Sequence, residues 1–231
     1  LLHQEGYCKQ LQRDYLDDLT ALISRVQAKT PLKEEHKNLV FVKKVESKRR
    51  YRNIVGALQF LANGTRPEIA FAVSFLSRFL TGYGEEHYRA ALHVLKYVLR
   101  TPKQGLLFRK QTEPTQQNIL IGFADAGFVG DVTDSKCQHG YIMMFNGGPV
   151  AWKSCKQKVV AQSTAEAEYI AAALACREIV YLRQLLEDID CKQVNPTRLN
   201  EDNQAAMSIA LANGQSPKTK HILRPYHYVR D

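Results

Sequence analysis

The sequence predicts an α/β fold in which helices flank a mixed β-sheet, preceded by a mainly helical segment. Three observations indicate this fold. Over the first hundred residues, apolar side chains recur every three or four positions, as on helices with one buried face. After residue 118, short runs rich in β-branched and aromatic residues are separated by turn-forming residues. The second part of the chain then reads strand, strand, strand, helix, strand, helix, an order typical of a sheet with helices packed on it.

Composition limits the classes of protein to which the chain can belong. With 231 residues, 45% of them hydrophobic, it is long enough for one large or two small domains. The formal net charge of +9, from 32 Lys and Arg against 23 Asp and Glu, favours a polyanionic partner. That partner is usually a nucleic acid and less often an acidic membrane surface.

The cysteines and the termini predict an intracellular protein. The five cysteines are scattered and form no C-x-x-C pair, which argues against a disulfide framework and a zinc knuckle. No apolar run approaches the roughly 20 residues that cross a bilayer, and the start shows no signal-peptide pattern, so no membrane partner is expected. The chain begins without a methionine, which suggests a fragment of a longer protein.

The stretch YLDDL, residues 15–19, has the tyrosine and paired aspartates typical of the metal site of a reverse transcriptase. That site requires a hairpin, whose flanks alternate with a period of two. The apolar residues around it are instead spaced by four, four, three and four positions: Leu11, Tyr15, Leu19, Leu22 and Val26. A helix is therefore predicted, with Asp17 and Asp18 on its solvated side, and no polymerase activity is expected.

A basic stretch follows Pro31. Its cations are Lys37, Lys43, Lys44, Lys48, Arg49, Arg50 and Arg52, and Glu46 is the one acid among them. Two interpretations remain open. The stretch is either a solvated loop and helix start, or a contact for the phosphate backbone of a nucleic acid, independent of base sequence and sensitive to salt.

Helices are predicted over residues 51–63, 67–80 and 85–100, and these are packing elements. His87 and His93 are six positions apart and do not share a helix face, so a metal role is not expected for them. Residues 110–118 are polar, contain Pro114 and lack a period. The predicted domains are therefore 1–114 and 115–231.

The second domain begins with three predicted strands, 118–126, 140–146 and 149–155, the last two joined by a hairpin turn at Gly147-Gly148. A long helix from Ser163 to about Asp190 follows, with Ser163 as its cap and Glu166 three residues later. A fourth strand is predicted over 197–202, and a further helix over 203–213.

Acidic residues stand where these elements begin or end. Asp125 closes the first strand and Asp202 the fourth, while Glu166 and Glu168 lie in the first turns of the long helix. Helical steps from Glu168 meet only apolar residues, whereas steps from Glu166 meet a mixed set, so Glu168 is predicted to face the sheet. A buried carboxylate must be paired, protonated or bound to a metal. Convergence with Asp125 and Asp202 favours a metal, although local capping or pairing of each acid remains an alternative.

Several motifs, in order, closely resemble the ribonuclease H domain of Ty1/copia-type retrotransposon polyproteins. They are ADA at 124–126, GD at 130–131, GG at 147–148, WKS at 152–154, KQ at 156–157, STAEAEY at 163–169, DNQAA at 202–206 and TKHI at 219–222. The upstream half resembles the segment that joins the polymerase palm to ribonuclease H. The resemblance implies a helical thumb/connection segment in 1–114 and a ribonuclease H-like domain in 115–231.

The implied activity is hydrolysis of the RNA strand of an RNA–DNA hybrid during reverse transcription, with Mg²⁺ as cofactor and Mn²⁺ as a substitute. Asp125, Glu168 and Asp202 would be the catalytic residues and would hold two ions, one activating water and the other stabilising the leaving 3′ oxygen. The basic tract, comprising Lys43, Lys44, Lys48, Arg49, Arg50 and Arg52, would hold phosphates. The remaining Pol polyprotein would be a partner, and the location would be cytoplasmic, in a virus-like particle, and nuclear.

The chain departs from the family pattern at several places. It stops before the fifth strand, the final helix and the fourth aspartate that the family carries, so a C-terminally truncated domain with weak or absent activity in isolation is expected. Leu223 stands where the family usually has an acid, and Cys137, Gln138 and His139 replace a run of small hydroxyl residues. An inactive relic that acts at most as a nucleic-acid-binding module is therefore the alternative interpretation.

Overall fold

The structure is a computed structural model that describes residues 1–21, 28–42, 50–109, 112, 118–127 and 135–211. The chain divides into two compact units, an N-terminal unit (Leu1–Leu106) and a C-terminal unit (Leu107–Asp231). Most of the predicted boundary segment, 110–118, lies outside the described residues. The same holds for Lys43, Lys44, Lys48 and Arg49 of the basic stretch, for Leu22, Val26 and Leu223, and for the GD and TKHI motifs.

The N-terminal unit is mainly helical, as predicted. Its described elements are β1 (Leu2–His3), α1 (Glu5–Asp14), α2 (Leu16–Ala21), α3 (Tyr51–Gly64), α4 (Ala70–Ser77), α5 (Glu85–Arg100) and β2 (Gly105–Leu106), with short 3-10 helices over Glu34–Asn38 and Pro67–Ile69. Aliphatic and aromatic side chains of α1, α3, α4 and α5 form one buried core. The Tyr51 hydroxyl, buried in this core, donates to the Leu76 carbonyl over 2.7 Å.

The YLDDL stretch is helical and not a hairpin. Leu11 and Tyr15 are buried and Leu19 packs against them, which confirms the predicted apolar stripe within the described residues. The helix is interrupted at Tyr15, so α1 and α2 replace the single helix that was predicted. Asp17 is exposed, as expected for surface charge, whereas Asp18 is half-buried.

The predicted helix over 67–80 begins as a 3-10 turn, Pro67–Ile69, and its α-helical part ends at Ser77, three residues before the predicted end. The Arg66 guanidinium is 1% exposed and is paired with Glu68 and with the carbonyl and hydroxyl of Thr101. A buried cation is stable only with such partners. These contacts tie the start of α4 to the end of α5.

The C-terminal unit contains a four-stranded mixed sheet with flanking helices, which confirms the predicted α/β class. Its described elements are β3 (Leu120–Gly127), β4 (Gln138–Phe145), β5 (Gly148–Lys156), α6 (Thr164–Asp188), β6 (Arg198–Asn200) and α7 (Gln204–Leu211). The strand order is β5-β4-β3-β6, with β6 parallel to β3 and the other pairs antiparallel.

The turn between β4 and β5 differs from its prediction by one residue. Asn146 and Gly147 have positive φ values of 49° and 74°, as a two-residue hairpin turn requires, so Gly147-Gly148 was the wrong assignment. Gly148 is already paired with Phe145 as the first residue of β5. Asparagine adopts this backbone conformation more readily than most other non-glycine residues, which is consistent with the shift.

Helix α6 packs on one face of the sheet and contributes most of its core. Small residues, Ala167, Ala171 and Ala175, are fully buried and let the helix approach closely. Ile179 and Leu182 continue the contact against Leu120, Ala124 and Met143 of the strands. No helix in the described part of the chain has the length and apolar character to cross a membrane.

Candidate metal centre

Asp125 and Asp202 are brought together by the parallel pairing of β3 with β6. In this pairing Phe123 lies opposite Asn200, and each aspartate follows two residues later. Neighbouring strands are about 4.8 Å apart, so carrying the register forward brings the two aspartates side by side. Asp125 lies within β3, two residues before its end, and Asp202 follows the short strand β6, so both predicted strand ends were slightly misplaced.

Glu168 reaches the same place from the second turn of α6. The helix begins after Ser163, whose hydroxyl accepts a hydrogen bond from the Glu166 backbone N–H over 3.1 Å. The side-chain amide of Gln157, itself buried, donates to the Ala167 carbonyl over 2.8 Å and fixes the first turn against the sheet. This anchoring sets the direction in which Glu168 projects.

One carboxylate oxygen from each of Asp125, Glu168 and Asp202 lies within 4.8 Å of those from the other two. Glu168 is buried, whereas Asp125 and Asp202 are exposed. Among the described residues, these three form the only such group of His, Cys, Asp or Glu. Carboxylate oxygens converging on one point, open to water on one side, suit a hard divalent cation that keeps part of its water shell.

The electrostatics of Glu168 test whether a cation fits this place. Its Oε2 atom is buried and has no hydrogen-bond partner in the described part of the chain. Burial, followed by the charges of Glu201, Asp125 and Asp202, raises the Glu168 pKa to about 7, and a backbone hydrogen bond from Ala126 opposes this increase. A divalent cation would supply both the missing partner and the missing positive charge, so these residues fit a metal.

Glu166 is as buried as Glu168, 6% against 7% exposed, so burial does not distinguish them as the periodicity predicted, but the contacts of the two side chains differ. Its Oε2 atom accepts a hydrogen bond from the Gln162 backbone N–H over 2.7 Å. Together with the Ser163 cap, this contact satisfies backbone donors at the start of α6. Ala172 and Leu186, further along the stripe of Glu168, are buried against the sheet, whereas Arg177 and Gln184, on the stripe of Glu166, are exposed.

Glu201 is an acidic residue near this centre that the sequence analysis did not identify. It is half-buried, its Oε1 atom accepts from the Asn203 backbone N–H over 3.2 Å, and its Oε2 atom has no partner among the described residues. Burial raises its pKa, and the charges of Asp202 and Asp125 add to the increase. Its position directly before Asp202 was the only available signal.

Three cations of the basic stretch are described, and each makes a contact within the N-terminal unit. Lys37 pairs with Glu34 over 2.7 Å. Arg50 donates to the Asp14 carbonyl over 2.8 Å and lies above the Tyr15 ring. Arg52 donates from Nε to the Leu80 carbonyl over 2.8 Å. A role of this stretch in phosphate binding therefore stays a prediction.

Three of the relatives that comparison with known proteins finds are described by identity and coverage. The retrovirus-related Pol polyprotein from transposon TNT 1-94 of Nicotiana tabacum is 37% identical over 181 residues, which are 78% of this chain and 13% of the polyprotein. The corresponding polyprotein from transposon RE1 of Arabidopsis thaliana is 34% identical over 224 residues, 95% of this chain and 15% of the polyprotein. Secreted RxLR effector protein 161 of Plasmopara viticola is 39% identical over 132 residues, 57% of this chain and 90% of that protein.

No protein-family model and no solved structure matches the sequence. By its fold and its acidic cluster, the C-terminal unit is an α/β domain with a candidate metal centre. The chain belongs to the family of copia/Ty1-type retrotransposon Pol polyproteins. It spans 13% of the length of the TNT 1-94 polyprotein and 15% of that from RE1.

Proposed function

We propose that the C-terminal unit is a ribonuclease H-like domain that hydrolyses the RNA strand of RNA–DNA hybrids during reverse transcription. The single observation that carries this proposal is the convergence of Asp125, Glu168 and Asp202. The mixed sheet and its flanking helices are compatible with such a fold, and the relatives are Pol polyproteins of retrotransposons.

The three carboxylates would hold Mg²⁺, for which Mn²⁺ could substitute. The bound metal would supply an activated water and stabilise charge on the leaving 3′ oxygen. Asp125 and Asp202 are exposed and face the solvent from which a phosphodiester would approach, while Glu168 closes the site from below. A metal held in this way would act on a backbone phosphate and would require no contact with a base.

Selection of a hybrid would depend on groove shape and on 2′-hydroxyl groups of the RNA strand. The formal net charge of +9 favours binding of this polyanion. We propose that Lys43, Lys44, Lys48, Arg49, Arg50 and Arg52 contribute phosphate contacts, and that the rest of a Pol polyprotein is the partner of this chain.

The test uses the full chain and a hybrid with a labelled RNA strand, in the presence of Mg²⁺ or Mn²⁺. We expect the chain to cleave the RNA strand. Asp125→Asn should lower the cleavage rate at least a hundredfold. Asp190→Asn is the matched control, because Asp190 is exposed and its backbone φ of 60° is one that asparagine also adopts. Its rate should equal that of the wild type.

Metal binding is measured separately, by calorimetric titration with Mn²⁺. Hybrid binding without cleavage, combined with metal binding that Asp125→Asn abolishes, would indicate a nucleic-acid-binding module that keeps the metal centre. Absence of both Mn²⁺ binding and cleavage in the wild type would refute the proposal.

A further inference from the structure

Residues 28–42, called the strap below, run along helix α5 in the direction opposite to that of the helix. At one end of the contact, the Val42 backbone N–H donates to the carbonyl of Gly82, which precedes α5, over 3.2 Å. Further along the helix, Thr30 lies beside His93. The strap therefore covers the first half of α5.

Contacts with other residues hold the strap in place, because its only described element is the short 3-10 helix over Glu34–Asn38. Leu32 and Leu39 pack against the core of the N-terminal unit. The Phe41 ring lies so close to Gly82 that a Cβ atom at that position would overlap with it. These apolar contacts persist at any pH.

Three histidines stand where the strap meets α5: His36 on the strap, and His87 and His93 on the helix. The Nε2 atom of His93 donates to the Thr30 carbonyl over 3.0 Å. The rings of His36 and His93 meet edge to face, with their centroids 5.3 Å apart. His87 is 3% exposed and lies beside the Val40 backbone.

Two of these histidines make hydrogen bonds that require the neutral ring. The Nδ1 atom of His36 accepts from the Lys33 backbone N–H over 3.4 Å, and that of His87 accepts from the Gly84 backbone N–H over 3.1 Å. These bonds cap the 3-10 helix of the strap and the start of α5. A proton added at Nδ1 would set two donors against each other and remove both caps.

The charges around His36 and His93 also disfavour protonation. Burial lowers the pKa of each ring; the charge of His93 adds to this decrease for His36, and the charges of Lys33 and Lys96 add to it for His93. The Thr30 carbonyl opposes the decrease for His93. Glu35 opposes it for both rings, but its carboxylate is already paired with the Lys33 ammonium over 2.8 Å.

His87 has no comparable source of negative charge in direct contact. Burial lowers its pKa, and the Val40 carbonyl and Glu86 oppose the decrease. Its Nε2 atom is nevertheless buried without a completed hydrogen bond to any described residue. The neighbouring rings of Tyr51 and Phe79, with centroids at 6.3 and 4.6 Å, carry no charge below about pH 10.

We propose that His36, His87 and His93 form an acid-sensitive latch, which holds the strap on α5 while the three rings are neutral and releases it when they are protonated. Release would expose the apolar side chains of Leu32 and Leu39 to water. The latch lies within the N-terminal unit, so it acts independently of the candidate metal centre and of cleavage.

The sign of the pH dependence follows from the direction of the pKa shifts. In the open strap each histidine is in water and has its ordinary pKa of 6.5, whereas the closed strap lowers this value. Closing therefore releases protons. The stability that the latch gives to the closed strap is fully present above pH 6.5 and is lost as the pH falls from 6.5 to the lowered values. Between pH 7.5 and 5.5, each histidine raises the opening constant by at most about tenfold.

The experiment measures amide hydrogen exchange of the full chain by mass spectrometry at pH 7.5 and pH 5.5. Each rate is divided by that of an unstructured peptide at the same pH, which removes the intrinsic effect of pH on exchange. We expect the protection of residues 28–42 to fall at least tenfold at pH 5.5, while that of α3, Tyr51–Gly64, changes less than twofold. An equal fall in both segments, or no fall in the strap, would overturn the proposal.

His36→Asn and His93→Gln remove the titrating rings and keep a hydrogen-bonding group near the same place, the Asn Oδ1 atom for Nδ1 and the Gln Nε2 atom for Nε2. In each variant we expect the strap's protection to fall about threefold to tenfold less than in the wild type. His3→Asn is the matched control, since His3 is exposed and its Nδ1 atom also accepts from a backbone N–H, that of Glu5. A wild-type fall in both His36→Asn and His93→Gln would refute the latch, and the wild-type comparison of strap and α3 decides the question even where a variant does not fold.

Discussion

The Glu168 side chain is buried, which disfavours its negatively charged form. Only a bound proton or a cation can neutralise that charge. Its folded-state pKa, about 7, lies above the ordinary value of 4.5. The folded protein therefore binds this proton more tightly than the unfolded chain does. The stability associated with the protonated form is fully present below pH 4.5 and is lost as the pH rises through 7.

Removing this charge should stabilise the metal-free protein at high pH. In Glu168→Gln we expect the free energy of unfolding to rise by on the order of 2 kcal/mol at pH 8, because the amide needs no proton to be buried neutral. At pH 5 the gain should be much smaller. Urea unfolding followed by Trp152 fluorescence measures both values, and an equal gain at the two pH values would contradict the assigned pKa shift.

Glu201 adds negative charge next to the centre without being one of its three converging ligands. We expect Glu201→Gln to weaken Mn²⁺ binding about threefold to tenfold, because a carboxylate near a cation contributes favourable Coulomb energy even without direct contact. Calorimetric titration measures the affinity. Asp125→Asn should abolish binding and Asp190→Asn should leave it unchanged, so an unaltered affinity in Glu201→Gln would show that its charge does not act on the site.

At the scale of elements, the start of α6 controls the position of Glu168. Ser163→Ala removes the acceptor for the Glu166 backbone N–H and should lower the free energy of unfolding by about 1 kcal/mol. The first turn should also fray, so Mn²⁺ affinity is expected to fall together with stability. Urea unfolding and calorimetry provide the two readouts.

Thr164→Ala is the matched control for this cap. Thr164 is the exposed first residue of α6, directly beside the cap. Thr164→Ala should change the free energy of unfolding by less than half as much as Ser163→Ala does. Equal losses in the two variants would indicate that the Ser163 hydroxyl does not act as a cap.

The elements that the sequence predicted best have a long apolar pattern and a capping side chain that marks where the element begins. Helix α6 has both a sustained apolar stripe and the Ser163 cap, and the structure has it at Thr164–Asp188. The hairpin turn was displaced by one residue because Asn146 and Gly147 compete with Gly147 and Gly148 as turn formers. Helix α1 ends before Tyr15 although the apolar period continues through it, so periodicity alone did not reveal the break.

The sequence predicted the candidate site where helical periodicity determines the direction in which a side chain projects. Glu168 could be chosen over Glu166 because a helix repeats every 3.6 residues. The convergence with Asp125 and Asp202 was inferred from their places at predicted strand ends, whereas the parallel pairing of β3 with β6 that brings them together is known only from the structure. Glu201 lies in the irregular segment after β6, where no period indicates the direction of a side chain.

At the scale of the whole molecule, the two compact units allow metal binding to be traced to one of them. Trp152 is the single tryptophan of the chain and lies in β5 of the C-terminal unit. Its fluorescence therefore reports unfolding of the unit that carries the acidic cluster. Circular dichroism at helical wavelengths reports both units, since the N-terminal unit is mainly helical.

Mn²⁺ at about a hundred times its dissociation constant should stabilise the C-terminal unit by roughly 2.7 kcal/mol, because it binds only the folded site. We expect the thermal midpoint followed by Trp152 fluorescence to rise by several degrees. Some of the circular dichroism change does not coincide with the fluorescence transition. The midpoint temperature of that part should be the same with and without Mn²⁺. Asp125→Asn should remove the increase in the fluorescence midpoint, whereas a metal-induced increase that persists in this variant would locate the bound ion elsewhere.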